Sequence, residues 1–275
     1  MITFVFSQLN LSTVLFFPNA KINIGLNITS KRGDGYHNLE SIFYPIGWRD
    51  VLEIIPSKQL SFDSSGLSIQ GQGNLCLKAY EFMKSHYGIA PVSMHLHKNI
   101  PIGAGLGGGS SDAAFTLMAL NIIFELGLEK DELKKMAAQL GADCPFFIDN
   151  APSFASGIGE LLNPIDLDLS NYHLLVVKPD VFVSTAEAFS AIVPQTPSLS
   201  LEEEIKMPVE KWRLKNDFED SLFPQYPELL EIKKSLIQAG ALYASMSGSG
   251  SSIYGIFSEK PQLKFNNCQL FHQVL

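Results

Sequence analysis

The glycine-rich segment Pro101–Ala114 (P-I-G-A-G-L-G-G-G-S-S-D-A-A) constrains the fold of this chain more than any other feature. Five of the seven residues from Gly103 to Gly109 are glycines, and an apolar run that predicts a buried helix follows directly. Glycines let backbone amides approach a ligand closely, and the positive end of a helix favours an anion. The segment therefore predicts a phosphate-binding loop. A flexible linker is the alternative, but linkers seldom lead straight into a buried helix.

Three better-known glycine loops fit this segment poorly. The spacing of Gly103, Gly105 and Gly108 satisfies the dinucleotide fingerprint G-x-G-x-x-G, but that fingerprint needs a strand after its helix, whereas here a second helix is predicted. No Gly-Lys-Ser/Thr ends the loop, as a Walker motif requires, and no V-A-I-K strand follows, as in protein kinases. An NAD-linked oxidoreductase would therefore depend on the glycine spacing alone.

Periodicity and turn residues predict the elements around the loop. Alternation over Ala20–Thr29 predicts a half-buried strand with Lys21 and Asn23 side by side on its polar face. Ser110 or Ser111 is a candidate cap for the helix after the loop. Further predicted elements, in chain order, are a turn at 31–37, strand at 42–55, a helix from Asn74 to His86 ended by Gly88, a strand at 92–97, helices ended by Gly127 and Gly141, strands at 174–177 and 181–183, a helix at 227–239, and strands at 242–246 and 253–257.

Strands that come in runs, with helices inserted irregularly, favour an α+β fold in two lobes. We place the division between residues 1–155 and 156–275. The 46 % hydrophobic content suffices for a packed core. The interrupted apolar N-terminus has no Lys or Arg before Lys21 and no cleavage site, so it does not predict a signal peptide. We expect a soluble cytoplasmic protein that is a monomer or a weak homodimer.

Charge and metal-ligand patterns exclude several other classes. The net charge of −8 argues against nucleic acid or an anionic membrane as the main partner, since both need a broad basic field. The three cysteines are widely spaced and form no zinc or disulfide pattern. His95 and His97 share a strand face without a third ligand at useful spacing, so no metal site is predicted.

Three motifs in order resemble the GHMP kinases. They are P-N-A-K-I-N-I-G-L at Pro18–Leu26, the glycine loop at Pro101–Ser111, and a second glycine-rich turn at Ser247–Ser252. The resemblance implies a two-lobed kinase that holds ATP on the glycine loop, in the cleft between the lobes. Four further segments resemble the branch of that family whose substrate is a cytidine diphospho-alcohol: Asp34–His37, Gly141–Phe147, Ser184–Phe189 and Asn216–Glu219.

The resemblance also implies roles for individual residues. Asp143 would be the catalytic base for the substrate hydroxyl, and Lys21 would pair with Asp143 and hold the hydroxyl oxygen. Tyr36 and Phe189 would sandwich the cytosine ring. The nucleotide would contact Asn74, Lys98, Pro101, Ile102, Gly103, Ala104, Gly105, Leu106, Gly107, Gly108, Gly109, Ser110 and Ser111. The other substrate contacts would be Asn23, His37 and Thr185.

Residue type alone supports plainer interpretations of these positions. Asp143 follows a predicted helix, where aspartate commonly serves a turn. Lys21 would be solvated, Tyr36 and Phe189 would pack at the surface or in the core, and His37 would be a turn residue.

ATP chemistry implies Mg²⁺, to which no protein ligand is assigned. The rival functions are another GHMP kinase, of homoserine or mevalonate type, and a catalytically silent nucleotide-binding protein. Seventeen residues precede Pro18, whereas chains of the family that it resembles usually reach this motif within a few residues. The extra residues reflect either a different start site or an extended first strand.

Overall fold

The structure, a computed structural model, describes residues 13–69, 73–190, 192–195, 197 and 200–275. Within these residues, helices and strands alternate irregularly, which confirms the α+β class. The strands are β1 (Val14–Phe16), β2 (Asn19–Lys31), β3 (His37–Arg49), β4 (Val51–Pro56), β5 (Ser61–Gly66), β6 (Val92–Lys98), β7 (Ser153–Ser156), β8 (Leu161–Pro164), β9 (His173–Pro179), β10 (Tyr243–Met246), β11 (Ile253–Phe257) and β12 (Cys268–Val274). The helices are α1 (Leu75–Tyr87), α2 (Gly108–Ile123), α3 (Lys130–Leu140), α4 (Phe146–Asp149), α5 (Thr185–Ser190), α6 (Leu201–Glu204), α7 (Phe218–Leu222) and α8 (Pro227–Gln238), with a 3-10 turn at Val209–Lys211.

The described strands form three four-stranded sheets. The first sheet has the order β1-β4-β6-β5, the middle sheet β2-β3-β7-β8, and the last sheet β10-β11-β9-β12. One hydrophobic cluster lies among α1–α4, the first sheet and one face of the middle sheet, and includes Tyr80, Leu117 and Phe147. A second cluster, with Ile22 and Tyr254, joins the middle sheet to the last. A third lies beneath α7 and α8.

The strand β2 corrects one prediction. Its residues from Asn19 to Leu26 are buried on both faces, not on one. The middle sheet lies between two hydrophobic clusters, so the apolar face of β2 meets the last sheet. Its polar face, with Lys21 and Asn23, is covered by the glycine loop and the second glycine turn. Two polar side chains buried in this way need partners, and the site supplies them.

The helix ends follow the local signals in most places. Asn74 caps α1, its side-chain oxygen accepting the backbone N–H of Cys76 at 2.8 Å, and Gly88 ends the helix in the left-handed conformation. Gly141 directly follows α3 as predicted. The helix α2 differs, because it begins at Gly108 with Gly107 as its cap, so Ser110 and Ser111 do not cap it.

The remaining differences lie in the second half of the chain. Residues 181–183, predicted as a strand, have an irregular backbone between β9 and α5. The strand β12 was not predicted, and it pairs with β9 along the edge of the last sheet. The proposed division after residue 155 falls inside β7, whose sheet continues into β8, and the two-domain division stays a prediction. Part of the N-terminal extension forms β1, and residues 1–12 lie outside the described residues.

Candidate active site

Lys21 and Asp143 lie together at the centre of the site. The Lys21 ammonium is 3.3 Å from the Asp143 carboxylate; Lys21 is almost fully buried, whereas Asp143 is about one-third exposed. The ammonium also donates to the side-chain oxygen of Asn23 and lies 4.5 Å from the centre of the Phe43 ring. Lys21 is on β2 and Asp143 on the turn before α4, so two segments 122 residues apart form one charged pair whose carboxylate is partly exposed.

The glycine loop lies directly against this pair. The backbone N–H of Lys21 donates to the Leu106 carbonyl at 2.9 Å. A Cβ on Gly107 would lie 3.2 Å from two side-chain carbons of Lys21 and 3.0 Å from Phe147. A side chain at residue 107 would therefore be strained by the positive φ of 69° and would press on the lysine. The loop, Lys21 and Asp143 form one continuous surface.

The second glycine turn, Ser247–Ser252, packs against the first. The Ser247 hydroxyl donates to the Gly105 carbonyl at 2.8 Å, and the Ser252 N–H donates to the Ala104 carbonyl at 3.2 Å. The backbone N–H of Asn23 in turn donates to the Ser247 hydroxyl at 3.2 Å. The three motifs found in the sequence thus meet through hydrogen bonds between backbone groups and through the Ser247 hydroxyl.

A cavity of about 410 Å³ opens along the glycine loop. It is lined by Asn74, Lys98, the whole run from Pro101 to Ser110, Asp112 and Thr185, together with apolar residues from β6 and α1. Ser111 is fully buried beneath it. Backbone amides, a helix N-terminus and apolar walls suit a nucleotide, with phosphates on the loop and the base among the apolar side chains.

The Lys98 ammonium forms ion pairs with two carboxylates. Its ammonium lies 2.5 Å from Asp50 and 2.7 Å from Asp112, and all three side chains are nearly fully buried. Burial opposes the charge on Lys98, yet the two carboxylates hold the pKa of its ammonium above the usual value. Burial raises the pKa of Asp112 to about 7, although the Lys98 ammonium opposes that shift. The Lys98 pKa is thus raised by its two carboxylate neighbours, and the Asp112 pKa by burial.

Three of the predicted substrate residues, Tyr36, His37 and Phe189, lie near one another. The His37 imidazole is stacked on Phe189, with ring centroids 5.2 Å apart, and Phe189 packs edge-on against Phe218. Tyr36 is 61 % exposed on the adjoining turn. The Thr185 hydroxyl, at the start of α5, is 3.4 Å from the Ser249 hydroxyl. The segments carrying Tyr36, His37 and Phe189 thus adjoin, and the second glycine turn connects Thr185 to the glycine loop.

Two residues that hold the second glycine turn, and a third between them that binds β2, were missed as site residues. The Asn216 amide donates to the carbonyls of Met246 and Gly248, both at 2.8 Å. The Glu219 carboxylate accepts the Met246 N–H at 2.8 Å, and Asp217 accepts the Ile28 N–H at 2.7 Å. The sequence signal was the segment Asn216–Glu219, which was used only for the resemblance; its polar residues bind backbone on β2 and β10.

Comparison with known proteins gives the class. The profile "GHMP kinases N terminal domain" matches residues 74–157, and "GHMP kinases C terminal" matches residues 207–266. A solved homoserine kinase from Cytophaga hutchinsonii has a TM-score of 0.68 at 17 % identity, covering 94 % of this chain and 88 % of that one. The fold and the site therefore define a GHMP kinase, an enzyme that uses ATP to phosphorylate a small molecule.

More similar relatives identify the branch. The 4-diphosphocytidyl-2-C-methyl-D-erythritol kinase of Bacteroides thetaiotaomicron is 54 % identical over 91 % of this chain and 94 % of its own length. That of Cytophaga hutchinsonii is 47 % identical over 92 % and 96 %. A crystal structure of 4-(cytidine 5'-diphospho)-2C-methyl-D-erythritol kinase has a TM-score of 0.77 and 32 % identity, covering 88 % of this chain and 90 % of that one. The chain belongs to the 4-diphosphocytidyl-2-C-methyl-D-erythritol kinase family.

No helix in the described part of the chain combines the length and the apolar character that crossing a bilayer requires.

Proposed function

We propose that this enzyme transfers the γ-phosphate of ATP to the 2-hydroxyl of 4-diphosphocytidyl-2-C-methyl-D-erythritol, giving the 2-phosphate and ADP. The reaction would serve the non-mevalonate synthesis of isoprenoid precursors in the cytoplasm. The Lys21–Asp143 pair, placed beside the glycine loop, supports this proposal most directly. The names of the relatives that match almost the whole chain support the choice of alcohol.

The roles of the two charged residues follow from their surroundings. A sugar-like hydroxyl is a poor nucleophile at neutral pH, and a carboxylate within hydrogen-bond reach can accept its proton as the bond to phosphorus forms. Asp143 has the exposed side of the pair and would accept that proton. The buried Lys21 ammonium would orient the carboxylate and stabilise negative charge between the hydroxyl oxygen and the γ-phosphate. The loop amides would hold the phosphates in line.

Mg²⁺ would accompany ATP, and its fit can be judged from the donors present. Within the described ranges, no group of three or more His, Cys, Asp or Glu side chains could hold a metal ion. Mg²⁺ in nucleotide sites is bound largely by phosphate oxygens and water, with only one or two carboxylates from the protein. The described residues therefore form no protein cage for the ion.

Recognition of the cytidine group would rest on the aromatic side of the cleft. Replacing the exposed Tyr36 with alanine is expected to raise the Kd for CDP about 2- to 13-fold, since stacking contributes about 0.5–1.5 kcal/mol beyond area burial. The melting temperature should hardly change, because Tyr36 is largely in solvent. Calorimetric titration with CDP measures the effect.

The control for Tyr36→Ala is Tyr87→Ala, which removes a partly exposed tyrosine at the end of α1. Tyr87→Ala should leave CDP binding unchanged. Phe189→Ala should weaken CDP binding as well, with some loss of stability, since Phe189 packs on Phe218. Equal CDP affinity in Tyr36→Ala and wild type would remove Tyr36 from the substrate site.

A substrate panel tests the proposed activity as a whole. ATP-dependent transfer of labelled γ-phosphate should occur to the cytidine diphospho-alcohol and be far slower to homoserine and mevalonate, which lack the nucleotide that Tyr36 and Phe189 would stack on. Turnover of homoserine or mevalonate at a comparable rate would favour another GHMP specificity. ATP binding without transfer to any of the three alcohols would favour the catalytically silent scaffold.

A further inference from the structure

Three buried charges lie directly beneath the phosphate-binding loop. The Lys98 ammonium is held between Asp50 and Asp112, at 2.5 Å and 2.7 Å. It also lies close to the first residue of α2, because a Cβ on Gly108 would be 3.0 Å from the Lys98 nitrogen. An ammonium surrounded in this way has little freedom to turn towards a base in the cavity, although the resemblance assigned Lys98 to the adenine pocket.

These charges hold the loop at both of its ends. One Asp50 oxygen accepts the backbone N–H groups of Asn99 and Ile100, at 2.6 Å and 2.8 Å, just before the loop begins at Pro101. Asp112 lies in the first turns of α2, just after the loop ends. Lys98 joins the two carboxylates, so the segment before the loop and the helix after it are tied to one ammonium.

We propose that Asp50, Lys98 and Asp112 form a positioning unit that fixes the orientation of the loop amides towards the ATP phosphates. Lys98 then affects the nucleotide through the loop, and its ammonium does not contact the base. This inference rests on the proposed use of the loop for ATP. It predicts that damage to the unit weakens by the same factor every ligand whose phosphates bind the glycine loop, whatever base that ligand carries, and leaves CDP, which is proposed to bind at Tyr36 and Phe189, unaffected.

The first test replaces Lys98 with methionine, which keeps most of the side-chain volume and removes the charge. The two buried carboxylates are then uncompensated and the loop loses its anchor, so phosphate affinity should fall about tenfold or more. The probes are a non-hydrolysable ATP analogue, the matching GTP analogue and inorganic tripolyphosphate, each titrated by calorimetry. We expect equal fold-losses for all three, with the Kd for CDP unchanged.

The matched control is Lys134→Met. Lys134 also lies between two aspartates, Asp131 and Asp149, both at 2.9 Å, but on α3 and away from the glycine loop. It should leave the three affinities at the wild-type values. A loss in Lys98→Met confined to the ATP analogue would show that the ammonium reads adenine and would overturn the proposal. So would equal losses in Lys98→Met and Lys134→Met.

A second test covers the case in which Lys98→Met does not fold. It uses pH and the variant Asp112→Asn, whose side chain has nearly the same shape as that of aspartate. The charged and titratable groups facing Asp112 are Lys98, Asp50 and the Cys76 thiol, whose pKa burial raises to about 12, so the thiol stays neutral. Asp112 has a pKa of about 7. Below that value it is protonated and resembles asparagine; above it, the carboxylate pairs with Lys98 and the unit is complete.

The ratio of tripolyphosphate Kd values, Asp112→Asn over wild type, should therefore be about 1 at pH 6 and about threefold or more at pH 8.5. Ionisation of the ligand is the same for both proteins and cancels in this ratio. A ratio that does not change with pH would refute the electrostatic coupling between the unit and the loop. If wild-type enzyme bound none of the phosphate probes, the proposed use of the loop would fail; normal wild-type binding with unaffected variants would refute only the positioning role.

Discussion

Asp143→Asn is expected to lower kcat by about 10²–10⁴-fold, the usual contribution of a general base. The amide keeps the shape of the carboxylate but cannot accept the proton of the substrate hydroxyl at neutral pH. Because Asp143 is about one-third exposed and its neighbours remain in place, the fold should be unaffected. Affinity for ATP and for CDP should stay near the wild-type values, since neither is predicted to contact this oxygen. Steady-state transfer to the cytidine diphospho-alcohol measures the loss.

Asp149→Asn is the matched control for this loss. Asp149 lies on the adjoining helix α4, is also about one-third exposed, and is paired with lysine residues. Its replacement should leave kcat within about twofold of wild type, since surface ion pairs contribute little. If Asp143→Asn and Asp149→Asn had similar kcat values, Asp143 would not be the base.

Lys21→Met should also remove most turnover, for a different reason. Lys21 is buried and its ammonium lies beside Asp143, Asn23 and the ring of Phe43. Its loss therefore disturbs packing as well as chemistry. We expect a lower melting temperature in addition to a lower kcat, which separates it from Asp143→Asn. A solvated lysine, which residue type alone would suggest, would affect turnover only, but the structure buries this side chain.

Much of the site could be predicted because its signals are local. Asn74 and Gly88 bound α1 through short-range capping, and the dense glycines around Gly105 indicate close backbone approach. Lys21 and Asp143 are 122 positions apart, and nothing in the composition brings them together. Their pairing came from resemblance to a family of known architecture, which is information about a fold, not about local sequence.

The missed features depend on contacts that cross the chain. Asp50 lies inside a segment predicted as strand, and only the fold places its carboxylate against Lys98, 48 positions later. The helix α2 begins at Gly108 because the backbone turns at Gly107, with a φ of 69°, beside Lys21. Sequence instead favoured the serines, which are the better caps in isolation. The strand β12 has a mixed pattern, and its partner β9 decides its conformation.

Gly105→Ala is expected to destabilise the protein by about 3 kcal/mol or more and to abolish measurable binding of an ATP analogue. Gly105 has a φ of 75°, which costs an alanine about 1–2 kcal/mol. In addition, its Cβ would overlap the carbonyl oxygen of Ser247 and lie 2.8 Å from the carbonyl carbon. Both atoms are backbone, so the two glycine turns would have to separate.

Gly127→Ala separates the two causes. Gly127 has a φ of 68°, but no atom lies within 4 Å of a Cβ placed there. Its replacement should cost only the backbone strain, about 1–2 kcal/mol, and leave nucleotide binding intact. Urea unfolding of both variants measures their free energies of unfolding, and the difference between the two losses is the contribution of contact between the glycine turns. Titration with the ATP analogue measures nucleotide binding in the same two variants. Equal destabilisation would mean that the turns can separate freely. The ATP site would then not depend on their packing, and the close approach of Gly105 to Ser247 would have no part in holding the phosphates.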